Sequence, residues 1–337
     1  MSDTRSIVIT TPNLAPAAMH VLERLGARLV FLPLSTRPQE LAQILARENP
    51  HGIISRAIAI DARAIDAAPN LRVISKYGVG YDNLDIAHAA RRGIPVLVTR
   101  GANSQSVAEL TIGLMISLAR DLRTLDREVR AGRWIRTIDR GMELSGRVLA
   151  LVGYGAIGRR VGGIAAALGM QVHAYDPYID AAPGITLAPD LDALLARADV
   201  LSLHCPLSAE TRRLLDAGRL ARLKTGALVV NTARGEIVDD EAMVAAVETG
   251  HVGGYAADTY STEPPGAGHP LLKLERAVFT PHCGAATAAA AERVALAAAN
   301  NLVLGLEGRG WQSEDVVNRT EASRQEPAHA DFVPRSP

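Results

Sequence analysis

The stretch VLALVGYGAIGRRVGGIAAALG, beginning at Val148, constrains the fold of this chain more than any other. An apolar, strand-like run ends at Gly153, and a helical period starts almost at once. Gly153, Gly155 and Gly158 fall in the spacing G-x-G-x-x-G across that junction. In a strand–turn–helix unit the first glycine permits the tight turn and the second lets backbone approach a pyrophosphate. The third lets helix and strand pack closely, and the helix N-terminus faces the anion. The triplet alone is a weak signal, because a glycine turn has structural uses. Here a second strand-like run, QVHAYD, ends on Asp176, 23 residues after Gly153. A carboxylate there accepts hydrogen bonds from ribose hydroxyls and repels a 2′-phosphate. Tyr178, rather than an arginine, lies just beyond. The reading is a dinucleotide site that prefers NAD to NADP; the alternative is a plain turn with a surface aspartate.

The same alternation runs almost from end to end. Before the glycine segment, strands are expected at Ser6–Thr10, Arg28–Leu32, Gly52–Ser55, Val73–Ser75 and Val96–Thr99. Helical periods lie between them at Ala15–Leu25, Pro38–Arg47, Ala62–Ala68 and Leu84–Arg91, with Asp61 and Asp85 as N-caps. After Arg147, strands are expected at Val148–Val152, Gln171–Tyr175, Val200–His204, Ala227–Asn231, Gly254–Ala257 and Ala277–Thr280, again with helices between. A final alanine-rich helix, Ala285–Leu306, has no obvious place in this second series. Strand–helix alternation of this kind makes an α/β protein with doubly wound parallel sheets. With only three Phe and two Trp, the cores must rest on Val, Ile, Leu and Ala, as parallel sheets covered by helices do. At roughly 150 residues per domain, 337 residues suggest two domains. Between the two series a helical period runs from Ser104 to about Arg120; its stretch Val107–Ala119 is apolar almost all round, so burial on more than one side and a homodimer built around it are expected. From Asn318 the chain turns to Pro, Ser and charge without apolar period, and 319–337 is expected to be a disordered tail.

Lys+Arg and Asp+Glu balance at 36 each, which argues against a nucleic-acid partner. No apolar run is long enough for a membrane span, and the N-terminus lacks a signal-peptide pattern. Two cysteines cannot make a disulfide framework, no spacing suggests a metal site, and a cytoplasmic setting is expected.

Three further segments carry chemistry. VVNTARGEIVDDEAM places Arg234 just after an apolar strand, at the end where parallel sheets bind ligands; its planar fork suits a carboxylate. A surface-loop arginine is the plainer reading of that residue taken alone. GGYAADTYSTEPP places Asp258 and Glu263 after the next strand, and TPHCGAAT places His282 after the one beyond. A carboxylate beside an imidazole orients it and stabilises its charged form, which makes a general acid/base device. Asn103, Ser104 and Ser106 read better as helix caps than as ligands, Cys205 and Cys283 as inert packing, and His20, His51 and His88 as surface residues.

The segments LRVISKYGVGYDNLD, RGIPVLVT, ANSQSVAELTIGLMISLAR, MELSGRVLALVGYGAIGRRV, HAYDPYI, HCPLSAETRRLL, LVVNTARGEIVDDEAM, AADTYSTEPP and FTPHCGAAT together resemble the D-isomer-specific 2-hydroxyacid dehydrogenases, and within them the 3-phosphoglycerate dehydrogenases. The resemblance covers about Leu71–Asn318; the first 70 residues match in pattern only. It implies a Rossmann cofactor domain, 101–285, inserted into a flavodoxin-like substrate domain, 1–100 with 286–318, to which the last helix returns. It gives Arg234 the substrate carboxylate, His282 the acid/base role, Glu263 the support of that histidine, and Asp258 the nicotinamide end. Further cofactor contacts fall on Ala156, Ile157, Cys205, Pro206, Thr232, Ala233, Cys283, Gly284 and Ala285.

The implied activity is NAD-dependent oxidation of a small anionic D-2-hydroxy acid, or the reverse reduction. 3-Phosphoglycerate is the first candidate substrate; glyoxylate, hydroxypyruvate or another 2-oxo acid is the alternative. Backbone N–H groups along Lys76–Gly80, including Val79, would help hold the carboxylate. Phosphite dehydrogenases carry lysine at the position of Val79, which argues against phosphite. Arg56 or Lys76, each after a strand, could take a second anionic group on the substrate; a solvated surface charge is the alternative for Arg56 and the plainer reading of Lys76. No regulatory domain follows Asn318, so serine feedback is not expected. A protein that senses NAD without turnover remains the alternative from another class, and NADH consumption with any 2-oxo acid separates the two.

Overall fold

The computed structural model describes residues 5–136 and 141–319, which divide into two units. One comprises 5–102 with 291–319, and the other is the intervening 103–290. The chain thus leaves the first unit once and returns to it through its last helix.

In the first unit, β1 (Ser6–Ile9), β2 (Arg28–Phe31), β3 (Gly52–Ser55), β4 (Val73–Lys76) and β5 (Val96–Leu97) form one parallel sheet in the order β2-β1-β3-β4-β5. This is the flavodoxin-like order. Helices α1 (Pro16–Glu23), α2 (Pro38–Glu48), α3 (Ala62–Asp66) and α4 (Ile86–Arg91) connect the strands. Asp61 caps α3 by accepting the Ala64 N–H at 2.8 Å, and Asp85 caps α4 through His88 N–H at 2.9 Å. β1, β3 and β4 are buried throughout, as the apolar runs require. His51 is buried rather than on the surface, with its Nδ1 facing the Ser6 N–H at 3.4 Å.

In the second unit, β6 (Val148–Val152), β7 (Gln171–Tyr175), β8 (Thr186–Leu187), β9 (Val200–Leu203), β10 (Ala227–Asn231), β11 (Val252–Ala257) and β12 (Ala277–Phe279) form a parallel sheet ordered β12-β11-β10-β9-β6-β7-β8. The order reverses between β6 and β9, which is the switch point of a dinucleotide fold. β8 has no counterpart in the sequence reading, since two residues cannot show a period. Helix α5 (Ser104–Ala119) precedes α6 (Leu122–Arg130); the sheet's own crossovers carry α7 (Ala156–Ala167), α8 (Leu191–Leu195), α9 (Ala217–Leu220) and α10 (Asp240–Glu248).

Much of the apolar surface of α5 is covered within its own unit. Ala108, Ile112, Met115 and Leu118 are buried against α7 and the β10–β11 region, while Glu109 and Gly113 are exposed. Its all-round apolarity is therefore satisfied without a partner along most of its length. Exposed large apolar side chains gather further on, at Leu122, Val129, Trp134 and Ile135.

The last helix, α11 (Ala288–Leu306), starts three residues later than its alanine pattern suggests. Cys283–Thr287 is used in turns instead, and Thr287 Oγ1 accepts the Ala290 N–H at 3.1 Å, as a cap does. The helix lies directly on the first unit's sheet: Ser75 Oγ donates to the Ala298 carbonyl at 2.8 Å. A Cβ at Gly305 would fall 2.2 Å from Val73 Cγ2, so only glycine permits this approach. Asn318 then closes the unit's edge. It accepts the Val96 N–H and donates to the Ile94 carbonyl, both at 2.9 Å, so the unit's last edge is bonded as far as Asn318. Of the expected disordered tail 319–337, everything after Arg319 lies outside the described residues. Among the described residues, no helix is long and apolar enough to cross a membrane.

Gly305→Ala overpacks the α11–β4 contact. It should destabilise the fold by about 1–3 kcal/mol, the usual range for an extra buried methyl group, read as a lower urea midpoint. An unchanged midpoint would mean that α11 does not sit this close to Val73.

Candidate active site

Strand β6 delivers the glycine turn to the switch point. Gly153 has φ +91°, and a Cβ there would lie 2.8 Å from the backbone of His204 and Cys205, so the turn is pressed against the end of β9. At Gly158 a Cβ would come 2.4 Å from the Gly153 carbonyl, which holds α7 close behind the turn. Gly155 is different. Its φ of −79° suits any residue, and a Cβ there would meet nothing within 4 Å. The protein's own packing gives no reason for glycine at this position. An open face beside the start of α7, whose first-turn N–H groups point outward, fits a phosphate group. Asp176 follows β7 and is tied to the same turn: Oδ2 accepts the Tyr154 N–H at 2.8 Å, and Oδ1 accepts the Tyr178 N–H at 3.0 Å. A carboxylate offers about four acceptor sites, so capacity for ribose hydroxyls remains.

Cys205 and Pro206 follow β9. Burial pushes the Cys205 thiol up to about 11, so it stays protonated and unreactive. Thr232 and Ala233 follow β10, with Thr232 Oγ1 at 2.9 Å from Thr111 Oγ1 of α5. These residues line the strand ends beside the glycine turn, as a dinucleotide requires.

The next three strand ends converge. Asn231, fully buried, accepts the Ala233 N–H at 3.0 Å and donates to the Arg234 carbonyl at 2.9 Å, which fixes the arginine's backbone. Arg234 Nη1 donates to the Ala233 carbonyl at 2.7 Å. A Cβ on Gly235 would fall 1.9 Å from the Tyr260 carbonyl carbon, so the Arg234 loop lies backbone to backbone on the loop carrying Glu263. Glu263 Oε2 meets His282 Nδ1 at 2.6 Å, and Oε1 accepts the Tyr260 N–H at 3.1 Å. An ionised carboxylate only accepts, so Nδ1 carries the ring proton in the neutral imidazole and Nε2 is left to exchange a proton. Burial pushes the Glu263 carboxyl upward. The hydrogen bond and charge of His282, the Tyr260 N–H and the Arg234 charge outweigh this and hold it below its ordinary value.

His282 sits at φ +49°, a left-handed conformation unusual for a non-glycine residue. Its loop is held by Asp258, which is 2 % exposed. Asp258 Oδ1 accepts Thr280 Oγ1 at 2.6 Å and the Cys283 N–H at 2.8 Å, and Oδ2 accepts the Gly284 N–H at 2.8 Å. The resemblance puts Asp258 at the nicotinamide end; here its carboxylate is largely occupied as the scaffold of the His282 loop. Ala285 follows in the same run of turns.

In the first unit, the Arg56 N–H donates to Thr10 Oγ1 at 2.8 Å and its guanidinium stands 5.6 Å over the Tyr77 ring. Lys76 is not a surface charge: it is buried, and its ammonium donates to the Arg56 carbonyl and, at 2.6 Å, to Asn83 Oδ1. Its charge is spent bracing the Arg56 loop. Val79 and Gly80 are half-buried in the loop after β4. The cap expectation for Asn103, Ser104 and Ser106 is corrected. Asn103 makes no side-chain cap and its Oδ1 is buried without a partner among the described residues; Ser104 Oγ accepts Arg160 Nε at 2.8 Å, and Ser106 Oγ pairs with Thr287 Oγ1 at 2.8 Å. Asn231, Tyr260 and Thr280 are site residues that the sequence reading missed. Asn231 stood in the quoted NTARG run, but Tyr260 and Thr280 act through single bonds to backbone or to a buried carboxylate, which no spacing announces.

Asp176→Asn keeps an acceptor for the Tyr154 N–H and removes only the charge. It should narrow the preference for NADH over NADPH by roughly 1–3 kcal/mol, the range for a charge-assisted hydrogen bond, measured as a ratio of dissociation constants. Wild-type protein that binds NADPH more tightly would remove Asp176 from the ribose.

Residues 112–284 match the family model described as D-isomer specific 2-hydroxyacid dehydrogenase, NAD binding domain. The chain is 41% identical over 266 residues to a D-3-phosphoglycerate dehydrogenase of Archaeoglobus fulgidus, covering 77% of this chain and 50% of that protein. It is 40% identical over 259 residues to a glyoxylate reductase of Thermofilum pendens, covering 74% of this chain and 76% of that one. Among solved structures, the TT0316 protein of Thermus thermophilus superposes with a TM-score of 0.84 at 38% identity, over 93% of this chain and 99% of that one. The chain spans about half the length of the phosphoglycerate dehydrogenase it matches. It belongs to the D-isomer-specific 2-hydroxyacid dehydrogenase family, whose NAD-binding domain it carries in its second unit.

Proposed function

We propose that this chain interconverts a small anionic D-2-hydroxy acid and its 2-oxo acid with NAD. The observation that carries the reading is the 2.6 Å contact of His282 Nδ1 with Glu263, with Arg234 near enough to act on the same carboxylate. Bound NAD supplies the hydride acceptor. The first turn of α7, from Gly155 through Ala156 and Ile157 to Gly158, would hold its pyrophosphate and Asp176 its ribose. Cys205, Pro206, Thr232, Ala233, Cys283, Gly284 and Ala285 would border it. Arg234 holds the substrate carboxylate through two parallel N–H···O bonds. In oxidation, His282 Nε2 takes the C2 hydroxyl proton, and Glu263 stabilises the imidazolium that forms. In reduction, the protonated ring returns that proton to the 2-oxo oxygen. Asp258 keeps the His282 loop in place through both directions.

3-Phosphoglycerate is the first candidate substrate. Arg56, braced by Lys76, is the group we assign to its second anionic end, and the N–H groups of Val79 and Gly80 to its carboxylate. A smaller 2-oxo acid is the second candidate, since the chain is as similar to a glyoxylate reductase, at 40% identity, as to a phosphoglycerate dehydrogenase, at 41%. A screen of phosphorylated and simple 2-oxo acids, followed by NADH absorbance, decides between them. No turnover with any acid would favour an NAD-sensing protein.

His282→Ala removes proton transfer, and kcat should fall about 10²–10⁴-fold with NADH affinity unchanged. Arg234→Lys keeps the charge but loses the fork, so KM should rise steeply and kcat fall as well. A histidine variant with near-normal kcat would end this reading.

We also propose a homodimer in the cytoplasm. The cytoplasmic reading rests on two cysteines that are both free. The dimer would bury Leu122, Val129, Trp134 and Ile135, half of the eight large apolar side chains exposed among the described residues. Trp134→Glu should shift sedimentation toward monomer at micromolar concentration; a monomeric wild type would overturn the assembly.

A further inference from the structure

We propose that Tyr260 is a positioning residue of the proton relay, joining the Glu263 carboxylate to the backbone of His282 by bonds at both of its ends. The proposal rests on the reading of His282 and Glu263 given above.

The bonds close a ring. The Tyr260 N–H donates to Glu263 Oε1 at 3.1 Å, and Glu263 Oε2 meets His282 Nδ1 at 2.6 Å. At the far end, the Tyr260 hydroxyl donates to the Thr280 carbonyl at 2.9 Å. That same carbonyl accepts the backbone N–H of His282 at 3.1 Å. The phenol and the histidine's own peptide therefore converge on one oxygen.

Such bracing has a purpose here. The His282 and Glu263 side chains are 49% and 37% exposed. An ion pair this open to water gains little by itself, and its two side chains would otherwise sample several rotamers. Tyr260 is buried, and its ring leans on Phe279 with centroids 6.1 Å apart, so it is a rigid spacer. Burial, reinforced by the charges of Asp258, Glu263 and Cys283, pushes its hydroxyl up to about 12. It stays a neutral donor across the working pH range, which the carbonyl acceptor requires. The charged and titratable groups around the pair are Arg234, Asp258, Cys283 and Tyr260 itself.

Tyr260→Phe keeps the ring and its packing and deletes only the bond to Thr280. The test compares wild type, Tyr260→Phe, Glu263→Gln and the double variant. The His282 imidazole C–H resonance, assigned with His282→Ala, is followed against pH by NMR in the protein without substrate. The sign follows from the pair. The contact with His282 holds the Glu263 carboxyl low, and removing that carboxylate removes the contribution of the contact at both partners. Glu263→Gln should therefore move the titration of that resonance to lower pH. Tyr260→Phe should move it the same way by less, because the pair is loosened but still present. In the double variant the Phe substitution should add nothing, since no carboxylate remains to be held.

With an active substrate, Tyr260→Phe should lower kcat for 2-oxo-acid reduction about threefold to tenfold, as for one uncharged hydrogen bond. KM should stay within about twofold. The alkaline limb of kcat should move to lower pH. A Tyr260→Phe titration identical to wild type, or a full Phe effect retained in the Gln background, would reduce Tyr260 to a packing residue. Absence of turnover in the wild type would overturn the functional reading, whereas the titrations decide the coupling by themselves.

Discussion

Three donors fill the buried carboxylate of Asp258, and two of them are backbone N–H groups that flank His282 on its C-terminal side. A buried carboxylate without such partners would be costly, so the three donors must stay where they are. That requirement fixes the path from Thr280 to Gly284, and it is why His282 can persist at φ +49°. Left-handed backbone costs an ordinary residue roughly 1–2 kcal/mol, and surrounding bonds must over-determine it. Here they do: Asp258 grips the residues after the histidine, and the Thr280 carbonyl grips its N–H. Asp258 is itself pinned from β10, since its N–H donates to the Asn231 carbonyl at 2.9 Å. Asn231 in turn fixes Arg234. One buried polar chain thus runs through the ends of three neighbouring strands.

The sheet order makes that chain possible. Because β9 through β12 are parallel and adjacent, their C-terminal ends present Cys205, Arg234, Glu263 and His282 along one edge in chain order. Backbone contact without side chains, at Gly235 against Tyr260, brings the second and third of these loops together. The exposed ion pair at the centre adds little to folding, about 0–1 kcal/mol at most. The site is therefore held by its buried scaffold rather than by its reactive groups, which leaves those groups adjustable by chemistry.

What could be read in the sequence follows from this division. Strand–helix alternation and the roles of Gly153 and Gly158 are local, since each turns on neighbours within one βα unit. The strand-end positions of Arg234, Glu263 and His282 were legible because each follows an apolar strand; the roles proposed for them came from the family resemblance. The Asp61 and Asp85 caps were legible for the same local reason. β8 was not, because two residues of edge strand carry no period. Nor was the inward turn of Lys76, whose ammonium finds Asn83 and the Arg56 carbonyl only once β3 and β4 pair. Asn103 looked like a cap because its type and place suited one, yet its side chain makes no such bond. The covering of α5 was hidden too: its sequence states that it must be buried, not by what.

The two histidines that follow strand ends show how one residue type is given opposite tasks. His204, after β9, has no carboxylate; its Nε2 lies 2.9 Å from Ser202 Oγ, and burial pushes it down to about 4, so it stays uncharged near neutrality. His282, after β12, is half-exposed and carries a carboxylate on Nδ1. The neighbours of His282 are moved out of the way in both directions. Glu263 is held low, while burial and nearby negative charge lift Tyr260 to about 12 and raise Cys283 as well. Acids that stay ionised and thiols or phenols that stay protonated cannot exchange protons with a substrate near neutral pH. This environment is consistent with the proposed proton exchange at an imidazole, the side-chain type suited to it. Pairs of titratable groups driven apart by their surroundings mark the acid/base assignment of a site. By that criterion Glu263 and Tyr260, held apart beside His282, support the proposed proton transfer at the last strand end, and the buried His204 leaves the first to packing.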